Sequence, residues 1–422
     1  VNYGVQASAN DIIMMALDLS GTTGKLWFGK NGTWFNAPGT SNVGNPATGA
    51  NPGISFAKGD EFWGITVSSA EKEIIMAYTT VAKPTAHCDA NIYTGISSAV
   101  TINSLGFLPD LVIYKDRTEA YSWGCYDSSR GIKKWLKIDS SQSQNNADNI
   151  ATEIDASLTA FTSSGFTIAS MSADPIGNKN GNYYGSWSWK ANGASKTTND
   201  AGAGGASIAS VYQANTTSGF SIIQYTGTGS AGTLKHGLSI VPKMMWIKRL
   251  NSAEQWEIYI GGDTLTASRE DKYLQFDGSG EVDSADRWND TKPTSSVFTI
   301  GTHASVNASG STYIAYVWGE VKGYSKMGEY RGHNNANGAT VYTGFRPKMF
   351  VSKRTDGNEG WILSDTARGY IKGSNGGDNG DPGRKGNRVE QKLLMQTAST
   401  ENANAGDMDF MSNGVKFRDT DG

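Results

Sequence analysis

The sequence predicts an all-β protein built of tandem, jelly-roll-like β-sandwiches, and three observations carry that reading. The first is composition: 52 of 422 residues are Gly and 10 are Pro, with 18% charged and 10% aromatic. So many turn formers beside so many aromatics suit short strands joined by turns, whereas helical bundles need far more Glu, Lys, Ala and Leu. The second is a set of short apolar runs, Leu111 to Tyr114, Met244 to Ile247 and Met349 to Val351, each beginning just after a proline. Pro is tolerated at a strand's start, where no ladder N–H is required. The third is that one set of landmarks occurs three times.

The first 80 residues come before those landmarks. Asp11 to Leu19 reads as a strand, Gly21 to Gly24 as a turn, and Lys25 to Phe28 as the return strand. Asn31-Gly32 is a strong hairpin signal, Thr33 to Phe35 follows it, and Glu61 to Val67 is a further strand.

The repeats begin beyond them. Gly106-Phe107-Leu108-Pro109, Val241-Pro242 and Gly344-Phe345-Arg346-Pro347 each lead to a lysine 6 residues after the proline and a tryptophan 14 after it. The lysines are Lys115, Lys248 and Lys353; the tryptophans are Trp123, Trp256 and Trp361. Upstream lie Tyr93-Thr94-Gly95, Tyr225-Thr226-Gly227 and Tyr330-Arg331-Gly332. Asn178, Gly181, Tyr184 and Trp189 repeat at the same offsets as Asn307, Gly310, Tyr313 and Trp318. The prolines are 133 and 105 residues apart, so each unit is domain-sized and is expected to fold as a bead around its own core. The expected units are 1–80, 81–192, 206–322 and 323–422. Gly193 to Gly205 is expected to be a flexible linker with few contacts, Gly373 to Gly386 an exposed loop, and Asp148 to Ser157 the best, weak, helix candidate.

Repeat arithmetic adds an expectation about both ends. The third unit lacks the turn and closing aromatic strand of the other two, about 15 to 20 residues. The first region opens on what reads as a middle strand. Either strands outside this sequence or a neighbouring chain would complete them, and an open slot is expected beside Val415 to Phe417.

Two stretches resemble known families. Asp18 to Trp34, DLSGTTGKLWFGKNGTW, resembles the second half of a SPRY-type, concanavalin-like jelly roll. Residues 85–422 resemble the repeated domains of tail-fibre-like virion proteins of marine bacteriophages. That resemblance rests on the Tyr-Thr-Gly turns, the G-F-x-P-x-L/M-V/F run and N-x-S-G-x-x-Y, Asn307 to Tyr313. It implies a virion structural or host-binding role and carries over no catalytic residue.

The chemistry-bearing residues point the same way. A net charge of −3 argues against a basic footprint for nucleic acid. No run of 18 apolar residues is present, so no membrane insertion is expected. Cys88 and Cys125 have no CxxC partner, and His87, His236, His303 and His333 have no second ligand at metal spacing; neither a metal nor a cofactor is expected. Gly21 to Lys25 has two residues where a phosphate loop needs four. Asn375, Asp378, Asn379 and Asp381 lack the spacing and the bidentate Glu of a calcium loop. The recurrent lysines read either as three anion or sugar contacts or, more economically, as strand-end charges that block edge pairing. The recurrent tryptophans read as core. Tyr121, Trp288 and Tyr370 fall in variable stretches and are the candidates for stacking on a sugar ring.

Three functions follow in order of support. The first is a non-enzymatic tail-fibre or appendage segment at the virion surface or outside the cell, a homo-oligomer working with other virion proteins and a host-surface glycan. The second is a lectin-like carbohydrate-binding adhesin. The third, a polysaccharide depolymerase, needs two facing carboxylates, and none of the 40 acids is singled out as such a pair.

Overall fold

The computed structural model describes residues 13–18, 23–31, 33–35, 44–52, 54–57, 87–146, 158–169, 177–261, 268–277, 279–332, 334–335, 337–368 and 388–418. The expected strand at 61–67, helix at 148–157 and loop at 373–386 lie outside them, as do His333 and Tyr370. The chain divides into two units, Val1–Ala82 and Lys83–Gly422.

In the first unit, β1 (Ile13–Asp18) and β2 (Thr23–Lys30) pair antiparallel from Asp18↔Lys25 to Ile13↔Lys30, the hairpin read from the sequence. Asn31 adopts φ 51° and turns β2 into β3 (Thr33–Phe35), as an Asn-Gly hairpin requires. β4 (Ile54–Ala57) pairs the other end of β2. Trp27 is buried and donates its indole N–H to the Ala50 carbonyl at 2.8 Å.

Among the described residues the second unit is all β apart from short helical turns. Repeat 1 comprises β5 (Cys88–Thr94), β6 (Val100–Ile102), β7 (Leu111–Asp116), β8 (Gly124–Asp127), β9 (Lys134–Lys137), β10 (Asn145–Asn146), β11 (Leu158–Thr162), β12 (Gly165–Ile168) and β13 (Tyr183–Trp189). Repeat 2 comprises β14 (Thr197–Asn199), β15 (Ser210–Asn215), β16 (Phe220–Thr226), β17 (Gly232–Lys235), β18 (Pro242–Arg249), β19 (Glu257–Ile260), β20 (Lys272–Gln275), β21 (Val282–Asp283), β22 (Val297–Ile300) and β23 (Thr312–Gly319). Repeat 3 comprises β24 (Thr340–Tyr342), β25 (Met349–Ser352), β26 (Ile362–Asp365), β27 (Arg388–Leu394), β28 (Asn402–Met411) and β29 (Gly414–Phe417).

Repeats 1 and 2 share one topology. The main sheet runs β9-β8-β7-β13-β5 in the first and β20-β19-β18-β23-β16 in the second; smaller sheets, β11-β12-β6 and β17-β22, form the second layers. Each closing strand, β13 or β23, lies between the proline-led strand and the strand that carries the Tyr-Thr pair, β5 or β16. The repeated Tyr pair registers across that ladder: Tyr93 faces Tyr184 and Tyr225 faces Tyr313, both stacked at 5.0 Å and 11°. Asn178 and Asn307 tie the preceding turns by side-chain bonds, Asn178 to Ser98 and Ala169, Asn307 to Ser230 and Gly301. That is why the Asn-to-Trp spacing recurs.

Repeat 3 differs. Its strands form a single sheet, β24-β29-β28-β27-β26-β25, with β25 at the edge. The expected slot is therefore displaced. Val415 to Phe417 is paired on both sides, by β24 and β28, and the proline-led strand β25 has a single paired neighbour among the described residues.

The expectation of three separate beads also needs correcting. Each repeat has a cluster of its own, around Phe166, Phe298 and Phe410 respectively. A further cluster draws from all three, and Trp123, Trp256 and Trp361 lie in it. They occupy matching buried positions, as their constant offset implies, but in the shared centre rather than in private cores. The stretch 193–205 is not a loose tether either. The Asp110 carboxylate of repeat 1 accepts from the N–H groups of Ala191, Gly193 and Ala194; Gln213 of repeat 2 accepts from Ala194; and Thr197–Asn199 pairs with β15. Polar ties hold a segment that has almost no apolar side chain to bury.

Candidate functional site

The place where most of the recurrent residues converge is the set of seams between repeats, and it is cyclic. Trp256 of repeat 2 donates its indole N–H to the Lys137 carbonyl of repeat 1 at 2.9 Å. Trp361 of repeat 3 donates to Gln275 of repeat 2 at 2.8 Å. Trp123 of repeat 1 donates to Leu394 of repeat 3 at 3.0 Å, closing the ring. Each acceptor is the last residue of the second strand beyond the proline-led one, β9, β20 or β27. A buried indole N–H needs a partner, and each repeat supplies one to the next.

The recurrent lysines and backbone bonds follow the same cycle. Lys248 reaches the Ser141 carbonyl of repeat 1 at 3.0 Å and also Glu254; Lys115 reaches the Ala398 carbonyl of repeat 3 at 3.1 Å and its own neighbour Asp116. Ser141 and Ala398 each lie four residues beyond the carbonyl that accepts the tryptophan. Two residues after each lysine, a carbonyl accepts a backbone N–H from the adjoining repeat: Leu250 from Gln144, Arg117 from Glu401, Thr355 from Glu281. Lys115 and Lys248 are thus neither edge-blocking charges nor exposed anion contacts. Both are fully buried staples, and burial pulls each ammonium down to about 8. Lys353 bonds Gly357 within its own repeat, and burial lowers it too.

Two seams carry buried ion pairs that the sequence reading missed. Asp127 and Arg130 of repeat 1 form a buried pair, and Tyr316 of repeat 2 donates its hydroxyl to Asp127 at 2.7 Å. Asp365 and Arg368 of repeat 3 form the equivalent pair, and Trp187 of repeat 1 donates to Asp365 at 3.1 Å. Asp and Arg stand 18 and 21 residues after the proline in both repeats, a spacing that was available in the sequence. In repeat 2 those positions are Ile260 and Asp263, and the pattern was hidden by its absence there. The seam between repeats 2 and 3 instead has Arg269 paired with Glu281 and Glu329.

The sugar-stacking candidates separate. Trp288 is fully buried, edge-on to Tyr259, with its N–H on the Lys272 carbonyl at 2.8 Å. Its ring is core, closing a variable loop from inside, and is corrected as a ligand contact. Tyr121 is half-buried beside Glu119; Tyr370 is among the residues outside the description. The two cysteines are free thiols, both pushed up to about 12 by burial, so neither is poised as a nucleophile. His236 is a core residue: it accepts from the Leu238 N–H, and burial lowers it to about 4. His303 caps a short helix through Ser305. Among the described residues no group of three metal-ligating side chains converges, and no helix is long and apolar enough to cross a membrane.

Residues 83–422 match the model of a Domain of unknown function (DUF7483). The chain belongs to this family. The match begins where the second unit begins and spans all three repeats, so the DUF7483 domain is the closed three-repeat body rather than one of its sandwiches. No curated protein and no solved structure matches the chain.

Proposed function

We propose that this chain is a structural protein of a bacteriophage virion, a segment of a tail fibre or appendage that presents β-sandwiches to a host-surface glycan. The observation that carries the reading is the cyclic closure of three like repeats in one DUF7483 body. Such a body holds three related sets of outer strands and loops in fixed relation. Several weak surface contacts then add as avidity without a deep pocket, and homo-oligomerisation in a fibre multiplies them further. The sequence resemblance of residues 85–422 to tail-fibre-like virion proteins supports the same assignment. In this reading the protein works at the virion surface, among other virion proteins, without catalysis.

The test is immunogold negative-stain microscopy of purified particles with antibodies to residues 83–422. Label on an appendage is the expected result. Label confined to a cell surface, with glycan binding by the isolated chain, would replace the proposal with a lectin-like adhesin.

A further inference from the structure

One end of repeat 1 is built unlike the same end of the other repeats. β13 opens on two tyrosines that point to opposite faces of the pleat. Tyr184 is fully buried, whereas Tyr183 is 56% exposed, one of two exposed rings among the described residues beside Tyr342. Three loops meet there, residues 95–98 after β5, 117–122 after β7 and 178–182 before β13. A buried carboxylate holds two of them: Asp116 accepts from the N–H groups of Thr118 at 2.7 Å and Glu119 at 2.9 Å, and from the Asn182 side-chain amide at 2.7 Å. The Thr118 hydroxyl accepts the Tyr183 N–H at 2.9 Å, and the Ser97 hydroxyl accepts the Asn180 N–H at 3.1 Å, which ties in the third loop. Lys179 donates to both oxygens of Glu119, at 2.5 and 2.7 Å, and both side chains stay accessible, at 41% and 38%. Repeat 2 has Arg249, Ser252, Ala308, Ser311 and Thr312 where repeat 1 has Asp116, Glu119, Lys179, Asn182 and Tyr183. Repeat 3 has Arg354 and Gly357 at the first two of these positions. Among the described residues the Asp116, Glu119, Lys179 and Asn182 side chains bond within repeat 1 and not across the seams, so closure of the ring does not account for them.

We propose that this end of repeat 1 is a carbohydrate subsite for one neutral hexopyranose residue of a surface glycan, with the Tyr183 ring as its platform. The proposal rests on the glycan-attachment reading above and gives it a location. A pyranose presents an apolar C–H face and a rim of hydroxyls, and an exposed phenol ring beside fixed polar groups is complementary to both. The Glu119 carboxylate accepts from sugar hydroxyls, and the Lys179 ammonium and the Asn180 amide donate to them. The charges of Glu119 and Lys179 cancel, and the Asp116 carboxylate is engaged by the loops, so the site offers no free cation to a uronic or sialic acid and selects a neutral sugar. Because Asp116 has already fixed the loops, little ordering is left for the ligand to drive. One ring and one ion pair make a weak subsite, and the copies in a fibre multiply it.

The experiment places the 422-residue protein on a biosensor and passes over it serum-albumin conjugates of glucose, galactose, mannose or sialic acid. At least one of the three neutral conjugates should bind, and the sialic acid conjugate should bind about ten-fold more weakly or not at all. Tyr183→Ala should weaken the neutral conjugate by about ten-fold or more, whereas Thr312→Ala, the same position in repeat 2, should leave it unchanged. An unchanged urea midpoint checks that Tyr183→Ala keeps the fold, and Glu119→Gln, which leaves the ring in place, should weaken the same conjugate by about three-fold or more. No binding of any neutral conjugate, a preference for sialic acid, or binding that survives both Tyr183→Ala and Glu119→Gln would overturn the proposal. Label on an appendage without conjugate binding would keep the virion assignment and overturn the subsite. Binding that depends on Tyr183, with label confined to a cell surface, would keep the subsite and overturn the virion assignment.

Discussion

Repeat 2 encloses its proline-led strand between β19 and β23, and the inward rings of that ladder, Trp246, Tyr316 and Trp318, contact one another in the shared core. Repeat 3 gives the equivalent strand one neighbour among the described residues and has, at the same distance from its proline, Val351 where repeat 2 has Trp246. Both repeats nevertheless keep the same tryptophan, the same lysine and the same cross-repeat backbone bond. The difference teaches that two sets of residues recur for two reasons. One set closes each sandwich and can be lost from one copy. The other, the tryptophan and the backbone bond two residues past the lysine, joins the copies into a ring and is kept in all three, whereas the lysine of repeat 3 bonds only within its own repeat.

The largest expected effect separates those sets directly. Trp256 is fully buried, packed against Phe276 and Tyr316, with its N–H bonded across a seam. Trp256→Ala should cost ~3–5 kcal/mol, as for a buried aromatic, measured by equilibrium urea denaturation. Trp361 makes the equivalent bond, but its described ring contact is Phe276 alone and its sheet ends at an open edge. Trp361→Ala should cost less, near the lower end of that range at about 3 kcal/mol. Equal losses would mean that the open edge of repeat 3 leaves its centre as well supported as that of repeat 2.

The next effect concerns the ion pairs that repeats 1 and 3 hold and repeat 2 lacks. Removing Asp127 leaves Arg130 buried and uncompensated, so Asp127→Ala should destabilise by about 3 kcal/mol. The double variant Asp127→Leu/Arg130→Met removes both charges, and at least half of that loss should return. If the double variant is no better than the single one, the hydroxyl of Tyr316 on Asp127, rather than the unpaired guanidinium, carries the seam.

Much of the fold was legible because strands advertise themselves locally. The apolar runs after the prolines and the Asn-Gly turn at Asn31 specify strand and hairpin without tertiary information, and the structure places β7, β18, β25 and the β2–β3 turn there. The ring was not legible. Whether a repeated tryptophan faces its own core or a neighbour's depends on where its N–H finds a carbonyl, and Lys137, Gln275 and Leu394 share no side-chain type that would mark them as acceptors. Backbone acceptors leave no trace in sequence. Trp288 misled for a related reason: a residue absent from the other repeats reads as surface, yet an inserted loop needs a core of its own. The stretch 193–205 misled because polar bonds to Asp110 and Gln213 do what apolar burial was assumed to be needed for.

The last effect is the pH response of the staples, and it separates the seams by burial. Lys115 and Lys248 have folded values of about 8; the unfolded value is ~10.4. Below about 8 both states hold the proton, and the cost of burying the ammonium is constant. Between about 8 and ~10.4 the unfolded chain binds more protons than the folded one, so stability rises with pH through that window. Between pH 7 and pH 9.5 the gain is up to about 2 kcal/mol per lysine. Cys88 and Cys125, held at about 12 against an unfolded ~8.5, oppose that rise above about pH 8.5 in wild type and lysine variants alike, and buried tyrosines such as Tyr114 and Tyr316 join them where unfolded tyrosines ionise. Lys353 is half-exposed, and its lowering is the weakest of the three, so Lys353→Met should change the pH slope least. Urea denaturation of the wild type, Lys115→Met/Lys248→Met and Lys353→Met at the two pH values reads this out. The double variant should lose most of the rise and the single variant little. A rise that survives in the double variant would place these ammonium groups in water, and the carbonyl contacts of Ser141 and Ala398 would then not be what holds them.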